Sequence, residues 1–342
     1  MKGFDAEFRD LDHYIRVITE RIWEGRRIDD IHRYYSDPCI VETPGAVTNA
    51  VQDVIQGTEA TLAQFPDRRL LAEDVIKSGD EAGGWLSSHR VISTMTHSGD
   101  GVFGPASGKR IHVRTIADCV CKNNQIVHEW LIRDQGAIAR QIGMAPRELA
   151  QRWLDERGWS KALAGAPPAG YRSHLSQEPL AQRYAEAVQD FALAAPSAPV
   201  RLGTLTARAY DDAVQHIGPG ETTRYGHAEV AQFWRELFAA FKVVDFKVEH
   251  LALNRGDDSQ QAEHRDRRTH RADRAALRWR AKARHEGEGL FGKASGKPVE
   301  IMGICHAEFF RGRVMREWVL IDELALWMQL LDRAASPSGA GH

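Results

Sequence analysis

The feature that most constrains this 342-residue chain is that it repeats itself. Displaced by 188 residues, His97-Ser98-Gly99-Asp100-Gly101-Val102-Phe103-Gly104 falls on His285-Glu286-Gly287-Glu288-Gly289-Leu290-Phe291-Gly292, and Ala106-Ser107-Gly108-Lys109 falls on Ala294-Ser295-Gly296-Lys297. Glu129-Trp130 meets Glu317-Trp318, Asp134 meets Asp322 and Gln141 meets Gln329. Over residues 97–142 there are 15 identities in 46 ungapped positions, where chance gives roughly three. The front halves match only with gaps: Gln56-Gly57-Thr58 is paired with Tyr225-Gly226-His227, and Ser78-Gly79-Asp80 with Arg255-Gly256-Asp257.

The repeat implies tandem domains, as the length does. The first is expected over residues 1–145 and the second over 176–335. Between them lies a helical tail from Pro146 to about Gly158, followed by the linker Ala164-Gly165-Ala166-Pro167-Pro168-Ala169-Gly170, where Pro and Gly break helix. The second copy carries a charged insertion near 257–276, expected to be a solvated loop.

Each copy begins with helix. Phe8, Leu11, Ile15, Ile18 and Ile22 recur at helical spacing, as do Tyr184, Val188, Phe191 and Ala195. A short helix is expected from Ile28 to Tyr35, stopped by Asp37-Pro38, and further helices over 57–65 and 226–241. Strands follow at 70–77, 85–97, 109–122 and 126–132, with Asn123-Asn124 and Arg311-Gly312 as matching tight turns. Helices followed by an antiparallel meander make an α+β pattern.

Net charge is −2, so nothing pulls the whole chain toward nucleic acid or an anionic membrane. The first residues hold no apolar signal core, and no stretch reaches the ~18 apolar residues that span a bilayer. A cytoplasmic location is the expectation. Cys39, Cys119, Cys121 and Cys305 show no metal-ligand spacing and read as buried thiols. His264 and His270 lie in the Arg-rich insertion, and their spacing matches no ligand motif. No phosphate loop, nucleophile elbow or aromatic-basic platform is present. No metal or cofactor is expected.

The pattern Ile-x-x-Glu-Trp-x-x-x-Asp followed by a helix ending Gln-(Leu/Ile)-Gly runs from Ile126 to Gly143, and again from Val314 to Leu331 without the final Gly. With the Gly-rich segment from Phe103 to Lys109, it resembles the SnoaL-like polyketide cyclase group of the nuclear-transport-factor-two-like superfamily. The resemblance implies two tandem cone-shaped α+β barrels, each with N-terminal helices packed in a strongly bent, mostly antiparallel sheet and an apolar interior. In the cyclases a last-strand carboxylate is the acid/base. That position falls here on Leu131 and Val319, and a supporting His falls on Ala117 and Cys305. Both copies therefore depart from the cyclase pattern. The superfold also hosts many activities.

On the last strand Val127, Glu129, Leu131 and Arg133 share a face. If Leu131 faces the pocket, so does Glu129, and Glu317 in the second copy. A carboxylate there would have a raised pKa and serve as general acid or base; the alternative is a structural ion pair with Arg133 or a neighbouring strand. Asp134 and Asp322 read as helix N-caps or catalytic groups. His97 and His285 read as proton shuttles at a pocket mouth or as supports of the Gly-rich hairpin. Trp130 and Trp318, on the opposite face, read as packing. His112, Arg114 and Asp118 answer to Glu300, Met302 and His306; family members commonly pack this face on another subunit, implying an internal pseudo-dimer with Asp118 near His306, and room for further homo-oligomers.

The favoured reading is a cofactor-independent isomerase, dehydratase, cyclase or hydrolase acting on a small, mainly apolar carbonyl or hydroxyl compound. The alternative is a non-catalytic small-molecule-binding or protein-interaction module. A third reading divides the labour, with one pocket working and the other kept for packing.

Overall fold

The structure is a computed structural model and describes residues 1–159, 171–194, 199–256 and 272–332. It divides into two compact units. The first comprises Met1–Arg172, Pro219–Glu221 and Leu320–His342; the second comprises Ser173–Gly218 and Thr222–Val319.

In the first unit, α1 (Leu11–Thr19) starts where the Asp10 carboxylate accepts from the His13 N–H at 2.8 Å, satisfying one of the donors a helix start leaves open. Leu11, Tyr14, Ile15 and Ile18 are its buried stripe. A wider turn, Glu20–Glu24, ends it at Gly25. After α2 (Ile31–Tyr34) come β1 (Tyr35–Glu42), β2 (Val47–Thr48) and α3 (Val51–Gln64). The meander is β3 (Arg69–Asp80), β4 (Gly84–Thr96), β5 (Arg110–Lys122) and β6 (Gln125–Arg133), closed by α4 (Gln135–Ile142) and α5 (Pro146–Arg157).

The sheet order is β2-β1-β6-β5-β4-β3. Every pair is antiparallel except β1 with β6. Its outer strands do not join, so the sheet is open rather than a closed barrel. Asn123 and Asn124 both take positive φ in the β5–β6 turn, which matches the right-handed twist of the strands they join.

The second copy repeats this plan with α6 (Pro179–Leu193), α7 (Pro199–Ala209), β7 (Tyr210–Gly218), β8 (Thr222–Tyr225), α8 (Gly226–Ala239), β9 (Phe241–Asn254), β10 (Asp273–His285), β11 (Pro298–Phe310), β12 (Arg313–Ile321) and α9 (Glu323–Leu331). Its sheet order is β8-β7-β12-β11-β10-β9, again with one parallel pair, β7 with β12. Both sheets with their helices have the tandem α+β cone fold expected from the sequence.

Several local expectations are corrected. The helix expected from Ile28 is present and ends at Tyr34, but Asp37-Pro38 is not its stop: the pair lies inside β1, in an irregular stretch between Tyr35 and Ile40, where a residue without an N–H is tolerated. The helix expected from Gly57 begins at Val51. Gly57 does not answer to Gly226. The Gly99 N–H bonds the Gln64 carbonyl and the Gly287 N–H bonds the Ala240 carbonyl, a register that sets Gly57 opposite Phe233 and Thr58 opposite Trp234. Helix α7 was not anticipated. Most of the expected charged loop, with His264 and His270, falls outside the described residues; its end, from Asp273, is already strand β10. Asp118 and His306 are both buried. Among the described residues no helix is long and apolar enough to cross a membrane.

A candidate ligand cavity around Glu129

The first unit holds a cavity of about 340 Å³, within the range of small-molecule sites. Apolar walls come from Ile15 and Trp23 near α1, Val41 of β1, Val54 of α3, Val91 of β4, and Ala117 and Leu131 of β5 and β6. Gly57, Thr58 and Thr61 give α3 a low-relief face toward it. The charged and polar groups are Tyr35, Arg68, His89, Glu129, Arg133, Gln135, Asp53 and Asp322. Glu129 and Leu131 line it together, as strand alternation requires.

Glu129 is 7% exposed. Its Oε2 accepts from the Tyr35 hydroxyl at 3.1 Å. Burial raises its pKa to about 7, with the Tyr35 hydrogen bond and the Arg133 charge pulling the other way. Loss of hydration penalises the charged form, and one hydroxyl does not replace the water. The acid is thus poised near neutrality, where it can both give and take a proton.

The surrounding cations are also withdrawn from water, Arg68 buried and Arg133 half-buried. Burial holds Arg68 well below its ordinary pKa, helped by the charges of Arg133 and Arg26, and burial lowers Arg133. His89 is pushed down to about 3 by burial, then by the Arg16 charge, so its ring is neutral at physiological pH. Its Nε2 is buried without a partner, leaving a neutral imidazole edge at the cavity. Arg68 and His89 were not among the expected site residues. They come from an irregular segment and from β4, and no local motif marks either.

The other expected positions are placed as follows. Asp134 caps α4: its oxygens accept from the N–H groups of Ala137 at 3.0 Å, Gly220 at 2.6 Å and Glu221 at 3.3 Å. It does not line the cavity, and burial raises its pKa to about 7 despite those bonds. Asp322 caps α9 through the Leu324 and Ala325 N–H groups, and its other oxygen accepts from Gln135 Nε2 at 3.0 Å. It also lines the cavity; burial raises its pKa to about 6. His97 and His285 lie outside the cavity lining, with Nδ1 at 3.1 Å from Ser107 Oγ and 3.0 Å from Ser295 Oγ respectively. That is the geometry of a hairpin support.

Glu317 has the same strand position as Glu129 and the opposite surroundings. It is fully buried. Tyr184 donates to it at 2.6 Å, Tyr210 at 2.9 Å, and His216 Nδ1 lies 2.8 Å away. Where α3 has Gly57, Thr58 and Thr61, α8 has Phe233, Trp234 and Leu237. Strand pairing sets Trp279 opposite Gly303 where the first copy sets Val91 opposite Thr115. A Cβ on Gly303 would meet the Trp279 indole at 2.2 Å, so this glycine makes room for the ring. Phe191, Trp234 and Phe238 stack in succession, and Trp279 stacks on Phe246.

The family model for SnoaL-like polyketide cyclase matches residues 14–142 and 266–330, more than half the chain. The chain belongs to that family. Among solved structures, IdmH from Streptomyces antibioticus is 19% identical, with 39% of this chain and 98% of that one covered at a TM-score of 0.34. A SnoaL-like polyketide cyclase from Agrobacterium tumefaciens is also 19% identical, over 40% of this chain and 99% of the other, TM-score 0.32. TsrD from Streptomyces laurentii is 16% identical over 39% and 94%, TM-score 0.34. No curated protein matches.

Proposed function

We propose that the first copy carries the working site and that the protein is an acid/base enzyme for a small, mainly apolar carbonyl or hydroxyl compound, of isomerase, dehydratase, cyclase or hydrolase type. The observation that carries this reading is Glu129: a buried carboxyl with a pKa raised to about 7, facing a cavity of about 340 Å³ with a single hydroxyl as its hydrogen-bond partner. Glu129 moves the proton. Tyr35 orients it, and the Arg133 charge keeps its ionised form within reach near neutral pH. Leu131, in place of the family's acid, leaves Glu129 as the carboxyl nearest to that role on the strand. Asp322 is a second carboxyl at the cavity, held by its cap. Asp134, His97 and His285 enter the proposal as supports of helix and hairpin. Glu317 holds the second core together. The proposal keeps the internal pairing of the two copies expected from their polar strand faces.

The test is a thermal-shift screen of the whole protein against polyketide, terpenoid, steroid and small keto- and hydroxy-acid panels, followed by turnover assays on the hits. A compound at 100 times its Kd adds about 2.7 kcal/mol. A hit whose turnover disappears in Glu129→Gln and survives in Glu317→Gln supports the reading. A hit that binds without turnover under any condition leaves the cavity as a binding module, the alternative that the missing cyclase carboxylate favours.

A further inference from the structure

Two guanidiniums of the cavity have no ion-pair partner among the described residues. Arg68 is 5% exposed, and among the described residues its side chain donates only to Ser93 Oγ, from Nε and Nη2, both at 3.4 Å. Arg133 Nε is buried without a hydrogen-bond partner. Both side chains line the same cavity, and neither forms an ion pair among the described residues. The carboxylates nearest in effect are committed elsewhere. Glu24, whose charge reaches Arg68, accepts from the Leu70 N–H and from Arg69 Nε. Asp322, whose charge reaches Arg133, accepts from two backbone N–H groups and Gln135. Glu129 is bonded to Tyr35. Guanidinium groups taken out of water need a paired, hydrogen-bonded anion, and their planar fork of donors fits a carboxylate.

We propose that the compound entering this cavity carries a carboxylate, held by Arg68 and Arg133 while its apolar body lies against Ile15, Val91 and Leu131. This rests on reading the cavity as the substrate site and names the substrate class. Arg68 and Arg133 face Asp53 and Asp322 across the lining, so a singly charged ligand adds less surplus negative charge than a dianion. That favours a carboxylate over a phosphate dianion. The carboxylate end is thereby fixed, and the reacting end is turned toward Glu129.

The experiment is calorimetric titration of the full chain with 1-naphthoate, 1-naphthamide and inorganic phosphate. Naphthoate is expected to bind at least tenfold tighter than the amide. Arg133→Met and Arg68→Met should each bring naphthoate down to the amide's affinity, and Arg133→Lys should restore part of the gap. The ligand-free Arg133→Met protein should melt no lower than the wild type, because it loses a half-buried cation whose Nε has no hydrogen-bond partner; a lower melting point would mark a structural arginine and overturn the assignment. Equal affinity for acid and amide, no naphthoate binding, a preference that survives both Met variants, or tighter Arg-dependent binding of phosphate would each overturn it as well. Should Arg68→Met fail to fold, Arg133→Met decides alone. Glu129→Gln is expected to keep the preference for the acid. A lost preference with Glu129-dependent turnover intact would sink this inference and leave the catalytic reading standing; an intact preference with no Glu129-dependent turnover would do the reverse.

Discussion

Glu129 and Glu317 stand at one position of one strand in two copies of one fold, and their neighbours treat them oppositely. Glu129 faces a cavity and, among the described residues, has one hydroxyl partner; Glu317 is enclosed by two tyrosines and a histidine that hydrogen-bond its carboxylate. The difference comes from a handful of side chains: Gly57, Thr58, Thr61 and Val91 against Phe233, Trp234, Leu237 and Trp279. Apolar volume fills in the second copy the space that is a cavity in the first. A polar residue kept through such a change is kept for its hydrogen bonds, since leaving three buried donors unmet is costly.

The comparison breaks first on turnover. Glu129→Gln should lower kcat/KM by about 100- to 10,000-fold, the usual contribution of a positioned acid or base, while Glu317→Gln leaves it unchanged. Equal losses in both variants would mean that the second copy is also a site. Stability should divide the other way. Glu317→Leu strands Tyr184, Tyr210 and His216 and should cost about 3–5 kcal/mol in denaturant unfolding. Trp279→Ala, which empties the space over Gly303, should cost a similar ~3–5 kcal/mol. A loss near zero in either would show that the second cone is not filled as described.

The third outcome concerns pH. Glu129 titrates at about 7 in the folded protein and ordinarily at 4.5. Between those values the folded state binds more protons than the unfolded, so stability falls as pH rises through that window, and the cost is complete above it. The gap corresponds to about 3 kcal/mol. Relative to Glu129→Gln, the wild type should lose about that much between pH 4 and pH 8; parallel stability curves would remove the raised pKa from the argument. The caps should give the smallest effect. Asp134→Ala should cost about 1 kcal/mol without altering ligand affinity, whereas Asp322→Ala should alter both, because only Asp322 lines the cavity.

The last third of each copy was legible because its signals are local. Strand alternation put Glu129 beside Leu131, the Asn123-Asn124 and Arg311-Gly312 turns took positive φ, which Asn and Gly favour, and Asp134 and Asp322 took up the helix starts that follow their strands. What was missed is non-local. The parallel strand β1 carries a proline and an irregular register, so it lacks the two-residue rhythm of a strand. The helix register that sets Gly57 opposite Phe233 is fixed by backbone contacts from Gly99 and Gly287, forty residues of sequence away in the first copy. Arg68 and His89 acquire meaning only when the fold brings them to one space. The filling of the second cone depends on Trp279 meeting Gly303 across two strands, which no single segment announces.

Asp322 lines the cavity although 187 residues of sequence separate it from Gln135, its hydrogen-bond partner there. During synthesis the N-terminal part of a chain folds first, as residues are added at about 5–20 per second. The walls supplied by residues 15–135 are therefore made well before the ribosome delivers the residue that completes them. A chain released early would hold most of a cavity and an incomplete charge set, with Arg133 lacking the nearby carboxylate. The cavity lining is finished only once residue 322 has been added, so its walls and its full set of charges are made at different times.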